Sequence, residues 1–425
     1  MIFNSIGLLS KCRIFKKIII PVIFLLVLVV SCKKEKPLSD PTSIIGPSNV
    51  CPGETGITYS VNPIEGATYY LWTVPDDAQI ISGQGTTSIV IRFGKVSGQI
   101  CVKSNNDTKE SSSYCIQVTQ GGVSNSWCRE MNFKPGGRAD AVGFAIGNKG
   151  YVGTGWDVTT LRYNDFWEFD PALNTWTQKA NVGGLPRFDA VGFAIGNKGY
   201  IGTGGDLSSC FSDFWEYDPV LNKWLKKADF AGIARASAIG LSISGKGYIG
   251  AGRDAGYHPQ TDFYEYNPNT DQWTQKANTA TREGAACLTI GNKGYMGCGS
   301  NGVQYFNDFQ EYDPTDSTDG FDNNHNPLGK WFIKAPFPGA LRYTPVGFSI
   351  NNKGYIGTGY DGNVSYKDIY EYDPNTNTWV QKTDFGGTSR GYAVGFTIDE
   401  KGYIGTGSIG SGATDFDNDF WVYGQ

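Results

Sequence analysis

Arg187-Phe-Asp-Ala-Val-Gly-Phe-Ala-Ile-Gly-Asn-Lys-Gly-Tyr-Ile-Gly-Thr-Gly-Gly205 repeats, almost letter for letter, the earlier stretch Arg138-Ala-Asp-Ala-Val-Gly-Phe-Ala-Ile-Gly-Asn-Lys-Gly-Tyr-Val-Gly-Thr-Gly-Trp156. Looser copies begin at Arg235, Arg282, Arg342 and Arg390, so successive starts are 49, 48, 47, 60 and 48 residues apart. Within each copy, short apolar runs are broken by Gly, Asn and Pro, which is the signature of strands joined by turns. A unit of this size cannot bury both faces of its own sheet and must stack on neighbours. The period therefore predicts a β-propeller.

Each copy carries four strand signals. In the second copy these are Ala190–Ile195, then Tyr200–Gly204 after a tight Gly-Asn-Lys-Gly turn, then Asp213–Tyr217 ended by Asp218-Pro219, and finally a strand holding Trp224. Glycines suit the turn because they tolerate positive φ, and proline ends a strand because it has no amide to donate. The fourth-strand tryptophans are Trp127, Trp176, Trp224, Trp273, Trp331 and Trp379. Trp127 precedes the first Arg, whereas the last copy stops at Trp421-Val-Tyr423 with no later fourth strand. The segment around Ser126–Arg129 is therefore expected to complete the last sheet, giving six blades with no free edge. The glycine-rich second strand, the Tyr-Asp-Pro and the Trp about six residues on resemble the kelch motif, over residues 127–425. The departure is Gly-Thr-Gly where kelch repeats usually carry a double glycine.

Upstream, residues 44–119 have a different texture. Thr58–Val61, Tyr69–Val74, Ser88–Phe93, Gln99–Lys103 and Tyr114–Val118 alternate apolar and polar residues, as in a small β-sandwich with Trp72 between its sheets. Gly46-Pro-Ser-Asn-Val-Cys-Pro-Gly53, Trp72-Thr-Val-Pro75 and Ser82-Gly-Gln-Gly-Thr-Thr-Ser-Ile89 resemble the PKD-like domains of secreted Bacteroidetes-type proteins, which implies a spacer. The expected fold class is thus all-β, a six-bladed kelch propeller (127–425) preceded by an Ig-like or PKD-like sandwich (44–119) and a linker (120–126).

The first residues specify a compartment. Lys11, Arg13, Lys16 and Lys17 precede an apolar run from Ile18 to Val30, too short to span a bilayer comfortably and matching a signal-peptide core. Leu-Val-Val-Ser-Cys32 resembles a bacterial lipobox, which implies cleavage after residue 31, lipidation of Cys32 and a tether over 32–43. A lipoprotein of the outer membrane or cell surface is expected, held to the membrane by its lipid. Losing residues 1–31 removes four basic and no acidic residues, moving the formal charge from −5 to −9. That surface argues against nucleic acid. A monomer is expected.

An oxidising compartment permits disulfides. Pairing Ile290 with Tyr295 across the Gly-Asn-Lys-Gly turn sets Cys287 opposite Cys298, where other copies have Gly and Thr or Ala, so a Cys287–Cys298 bridge or two packed thiols is expected. Cys101 and Cys115 flank another hairpin; spacing assigns no partner to Cys51, Cys128 or Cys210.

Strand alternation puts the two-to-three and four-to-one loops on one face, where the copies differ most, and such loops are where recognition concentrates. Ligand-binding candidates on that face are Trp156, Asp157, Asp206, Arg253, His258, Tyr360 and Asp361. The six repeat-initial arginines Arg138, Arg187, Arg235, Arg282, Arg342 and Arg390 enter from it too. By resemblance to kelch domains that bind acidic ligands they form a ring reading carboxylates. A structural alternative pairs them with neighbouring blades through Asp165, Asp213, Asp262, Asp308, Asp368 and Asp419. The Asp316–Pro327 insertion is rich in oxygen ligands but fits no standard Ca²⁺ loop. Galactose oxidase, a kelch enzyme, needs two His at one copper; here His258 and His325 fall on opposite faces. No cofactor, metal or catalytic residue is assigned. The favoured reading is a binding or adhesion protein for a glycan or protein ligand. The alternative is a carbohydrate-active enzyme of the sialic-acid mutarotase (N-acetylneuraminate epimerase) type.

Overall fold

The computed structural model describes residues 38–424 apart from residues 53, 95, 121–124 and 411–414. The leader, Cys32 and most of the tether lie outside the described residues, as does the middle of the linker. Among the described residues no helix is long and apolar enough to cross a membrane. The chain divides into two compact units at Gln120/Gly121.

In the first unit, one sheet runs Asn49–Val50, Tyr114–Gln120, Gly98–Asn105, Tyr69–Thr73 and a second runs Thr55–Ser60, Ser88–Arg92, Gln79–Ser82. Both contribute to one core in which Trp72 is 2 % exposed among Tyr59, Ile89, Ile91 and Val102. Its indole N–H donates to the Thr86 carbonyl at 2.9 Å, so the one polar atom of this buried ring is satisfied. Cys101 and Cys115 face each other across antiparallel strands and are disulfide-bonded.

The described residues of the second unit form six four-stranded antiparallel sheets and one short two-stranded pair, Arg390–Gly391 with Ser408–Ile409. In the first sheet the order is Val142–Ile146, Lys149–Gly153, Phe166–Asp170, Thr175–Gln178, and the next four repeat it. The sixth assembles Val394–Ile398, Lys401–Gly405 and Phe420–Gly424, and its fourth strand is Ser126–Glu130, with Trp127 opposite Tyr423. The first strand of every sheet neighbours the first strand of the next, and Val394–Ile398 neighbours Val142–Ile146. The sheets approach closely: a Cβ on Gly192 would lie 1.9 Å from Val142 of the preceding sheet. Aromatic side chains fill the wedge farther out. Phe166 packs edge-on against Trp224 at 5.0 Å and Tyr217 at 4.9 Å, and Phe420 meets Trp176 at 5.0 Å.

Two expectations need correction. The first hairpin turn contains two residues, not four: Ile290 pairs with Lys293 and Ile195 with Lys198. In the fifth sheet both turn residues, Asn351 and Asn352, have positive φ (47° and 62°), the geometry that matches strand twist. The shorter turn moves the register by two residues, which preserves the facing side but changes every partner. Cys287 therefore faces Met296, and Cys298 lies beyond the ladder with φ 60°. Both are free thiols, so the Cys287–Cys298 bridge is not formed. Burial pushes their thiols up, to about 11 and about 12. Cys210 is also free.

The second correction concerns the arginines. All six are buried, at most 5 % exposed. Each is paired inside its own sheet, not across sheets: Arg138 with Asp165, Arg187 with Asp213, Arg235 with Asp262, Arg282 with Asp308, Arg342 with Asp368 and Arg390 with Asp419. Arg187 is typical, donating from Nη1 to Asp213 Oδ1 at 2.6 Å and from Nη2 to Oδ2 at 2.7 Å. Its Nη1 also donates to the Thr203 carbonyl at 2.9 Å. Thr203 and its equivalents Thr154, Ala251, Cys298, Thr358 and Thr406 have φ of 53–60°, which is strained for threonine. In all but the Cys298 sheet the guanidinium holds that carbonyl. The contact between sheets is made instead by the arginine backbone. Gly155 N–H donates to the Arg187 carbonyl at 2.8 Å, the pattern recurs in each sheet, and Gly407 N–H donates to the Arg138 carbonyl at 2.7 Å.

Arg187→Met strands Asp213 with its partner removed, so a loss of about 3 kcal/mol in denaturant unfolding is expected. A loss below about 1 kcal/mol, the size of an exposed pair, would contradict the clamp.

Candidate functional site

Two residues after each arginine the chain again enters the left-handed region. Asp140, Asp189, Ser237, Gly284, Thr344 and Tyr392 occupy this position, all with φ of 50–58°. Their amides form a circuit: Asp189 N–H donates to Asp140 O, Ser237 N–H to Asp189 O, Gly284 N–H to Ser237 O and Thr344 N–H to Gly284 O. Asp140 N–H donates to Tyr392 O, and Tyr392 N–H closes the circuit on Thr344 Oγ1 at 3.1 Å. These six residues and those following them line a cavity of 160 Å³.

The backbone is nearly six-fold here, but the side chains are not. Asp140 accepts the Trp156 indole N–H at 2.8 Å. Asp189 accepts the Ser237 hydroxyl at 2.7 Å and lies 3.5 Å from the Arg253 guanidinium. Arg253 Nε also meets Glu283 at 2.9 Å, so one cation is held between two carboxylates. Tyr343 reaches Ser237 at 3.4 Å and packs edge-on against Tyr392, which neighbours Tyr360. Burial, and then the adjacent Asp189 charge, pushes the Asp140 carboxyl well above the usual range. Asp140 is half-buried and lines the cavity. Burial also raises Glu283, against the pull of Arg253. This combination of carboxyl groups, hydroxyls, one guanidinium and tyrosine rings can accept hydrogen bonds, hold a cation, or pass a proton from Asp140.

Of the sequence candidates, the structure brings Trp156, Arg253 and Tyr360 to the mouth of this cavity. The other loop candidates serve their own turns. Asp157 accepts from Thr159, Leu161 and Tyr163; Asp206 from Ser208 and Ser209; Asp361 from Asn363, Val364 and Tyr366. The Ser208 amide holds Asp206 below the usual carboxylate range, and the Tyr366 hydroxyl does the same for Asp361. His258 is exposed, with Nδ1 3.2 Å from Asp254. The six arginines are spent on their clamps, so the acidic-ligand ring loses its basis. On the other face, Asp316 and Asp322 of the insertion likewise accept amides of their own turns. Sequence reasoning missed Asp140, Asp189, Glu283, Tyr343 and Tyr392. The signal was there: directly after the constant arginine the copies write Ala-Asp, Phe-Asp, Ala-Ser, Glu-Gly, Tyr-Thr and Gly-Tyr.

Residues 37–118 match the family model of a PKD-like domain. No curated protein matches the chain. Among solved structures the chain is similar to that of YjhT, at 17 % identity and a TM-score of 0.57, over 67 % of this chain and 94 % of that one. At this identity the likeness concerns the fold.

A carboxyl whose folded pKa is raised contributes stability that is complete below the unfolded value and is lost as pH rises through the folded one. Asp140→Asn keeps the neutral form at every pH. Its melting temperature should match wild type near pH ~4 and exceed it by a growing margin as pH rises. A margin independent of pH would contradict the assignment.

Proposed function

We propose that residues 126–424 form a closed six-bladed kelch propeller whose loop face is a binding site for a glycan or protein ligand. Two hydrogen-bond circuits that return to the first sheet support the closure, as does the pairing of Ser126–Glu130 with Phe420–Gly424. The observation that carries the binding reading is the contrast at the cavity. A scaffold with one repeated backbone conformation presents Asp, Asp, Ser, Gly, Thr and Tyr at equivalent points, with Trp156, Arg253 and Tyr360 beside them. Stacking and closure require no such variety; recognition does. The lipobox resemblance adds the setting, a lipoprotein of the outer membrane or cell surface in which the PKD-like domain is a spacer.

A second reading, proton transfer on a sugar in the manner of the sialic-acid mutarotases, draws on one feature. Asp140 and Asp189 are adjacent carboxyls in unlike surroundings, the arrangement that separates an acid from a base. An acidic sugar finds little here, because Arg253 is already held by Asp189 and Glu283. Binding remains the preferred function.

Ending the chain before Asn418 deletes the strand that joins Ser126–Glu130 to the last sheet. Loss of a cooperative calorimetric transition is expected, and an unchanged transition would overturn the six-bladed closure. Trp156→Ala/Tyr360→Ala in the full-length chain should weaken array-detected ligand binding by about tenfold or more. Binding indifferent to both changes would remove the site. Exchange between sugar anomers, seen by NMR and lost in Asp140→Asn, would favour the enzymatic reading instead.

A further inference from the structure

The two-to-three loops are small hairpins standing around the cavity mouth. They are closed by bridges at Trp156/Arg162, Gly205/Cys210, Arg253/Pro259, Ser300/Tyr305, Tyr360/Ser365 and Ser408/Phe416. Neighbouring hairpins touch. Trp156 packs on Phe416 at 5.0 Å, the Cys210 thiol lies 3.9 Å from the Arg253 carbonyl, and Ser365 Oγ donates to Gly410 O at 2.9 Å. The Tyr305 hydroxyl packs beside Gly362, and Pro259 beside Gly302. These five contacts link the six hairpins into a collar.

Hairpin tips are ordinarily polar, and five of these begin with an Asp or Asn that accepts the turn amides. Yet the five described tips present Val158, Leu207, Tyr257, Val303 and Val364, between 50 and 91 % exposed. Nothing in the turns requires them, since Asp157, Asp206, Asp254, Asn301 and Asp361 already satisfy the backbone. Apolar groups repeated around one rim mark a surface that another molecule covers. Four of the five are aliphatic, offering a sugar neither a hydrogen bond nor a flat ring. They suit a protein.

The centre of the collar says what that protein carries. Three carboxyl groups, Asp140, Asp189 and Glu283, gather here with one guanidinium, Arg253, so acidic groups outnumber basic ones at the mouth. A second copy of this acidic chain would be repelled. A cavity of 160 Å³ falls below the roughly 300–1,000 Å³ of a drug-sized ligand pocket and suits the end of one side chain. We infer that the loop face docks a protein partner that inserts one Arg or Lys side chain into the acidic mouth and lays apolar neighbours on the collar tips. This inference rests on the loop face being the binding surface.

The test pans displayed random peptides against the full-length chain and measures the enriched sequences as synthetic peptides. Arg or Lys flanked by apolar residues should be enriched, and citrulline in place of Arg should weaken binding about tenfold or more. Asp189→Asn, and separately Leu207→Ser/Val303→Ser, should each do the same; the tip residues are exposed, so the tip variant should leave the unfolding transition unaltered and keeps the result interpretable. Enrichment of acidic peptides, equal binding of the citrulline form, or indifference to both variants overturns the inference. A sugar ligand dependent on Trp156 and Tyr360, with no basic peptide selected, overturns it while the broader binding reading stands. No ligand of either kind sinks both.

Discussion

A buried guanidinium holds the larger unit together. In each sheet an arginine just before the first strand pairs with an aspartate just before the third. In five of the six its Nη1 also takes the carbonyl of a left-handed residue at the end of the second. Three strand ends of one sheet are thereby fixed to a single planar fork. The backbone carbonyl of the same residue accepts an amide from the preceding sheet, so one residue serves both the sheet and its neighbour. Burying such a cation is tolerable only because its donors have partners. The fourth sheet, where Cys298 replaces the usual Thr or Ala, is the one where the guanidinium lacks the carbonyl contact; Nε has no partner in Arg282 and also in Arg138.

This clamp also decides where recognition can occur. Because every repeat arginine is neutralised in place, the positive ring that an acidic ligand would need does not exist. In the proposed reading the adjacent positions take on that task. Two residues beyond each clamp the same left-handed turn recurs, its amide bonded to the previous copy, and apart from Thr344, whose Oγ1 accepts the Tyr392 amide, its side chain takes no part in that circuit. Asp140, Asp189, Ser237, Thr344 and Tyr392 are therefore free to differ, and together with Arg253 and Glu283 they make an acidic, hydroxyl-rich mouth under an apolar collar.

Much of the architecture was legible because it is written repeatedly. The 47–49-residue spacing, the Trp series and the early position of Trp127 foretold four-stranded units and the pairing of Ser126–Glu130 with the C-terminal strand. Trp72 was placed correctly as the one tryptophan among the alternating strands of residues 44–119. The cysteine pair failed through a turn. Gly-Asn-Lys-Gly looks like four turn residues, but the lysine and last glycine belong to the ladder, and that shift moves Cys287 onto Met296. Asp157, Asp206 and Asp361 also cap their own hairpins, a role the sequence did not reveal because an aspartate that caps a turn is spelled like one that faces outward. Asp140 and Asp189 escaped notice because, being alike, they passed for part of the repeat.

The sequence by itself determined the units, their number of copies, and which residues are interchangeable between them, since hydrophobic period and turn chemistry are local and act on each copy separately. Only the tertiary structure decided that six arginines are internal and that residues far apart in the chain meet at one mouth. Ion pairing and burial depend on distance in space. Asp140 has its pKa raised first by burial and then by Asp189, 49 positions later, and Glu283 meets Arg253 only because successive sheets bring their equivalent turns around a common cavity.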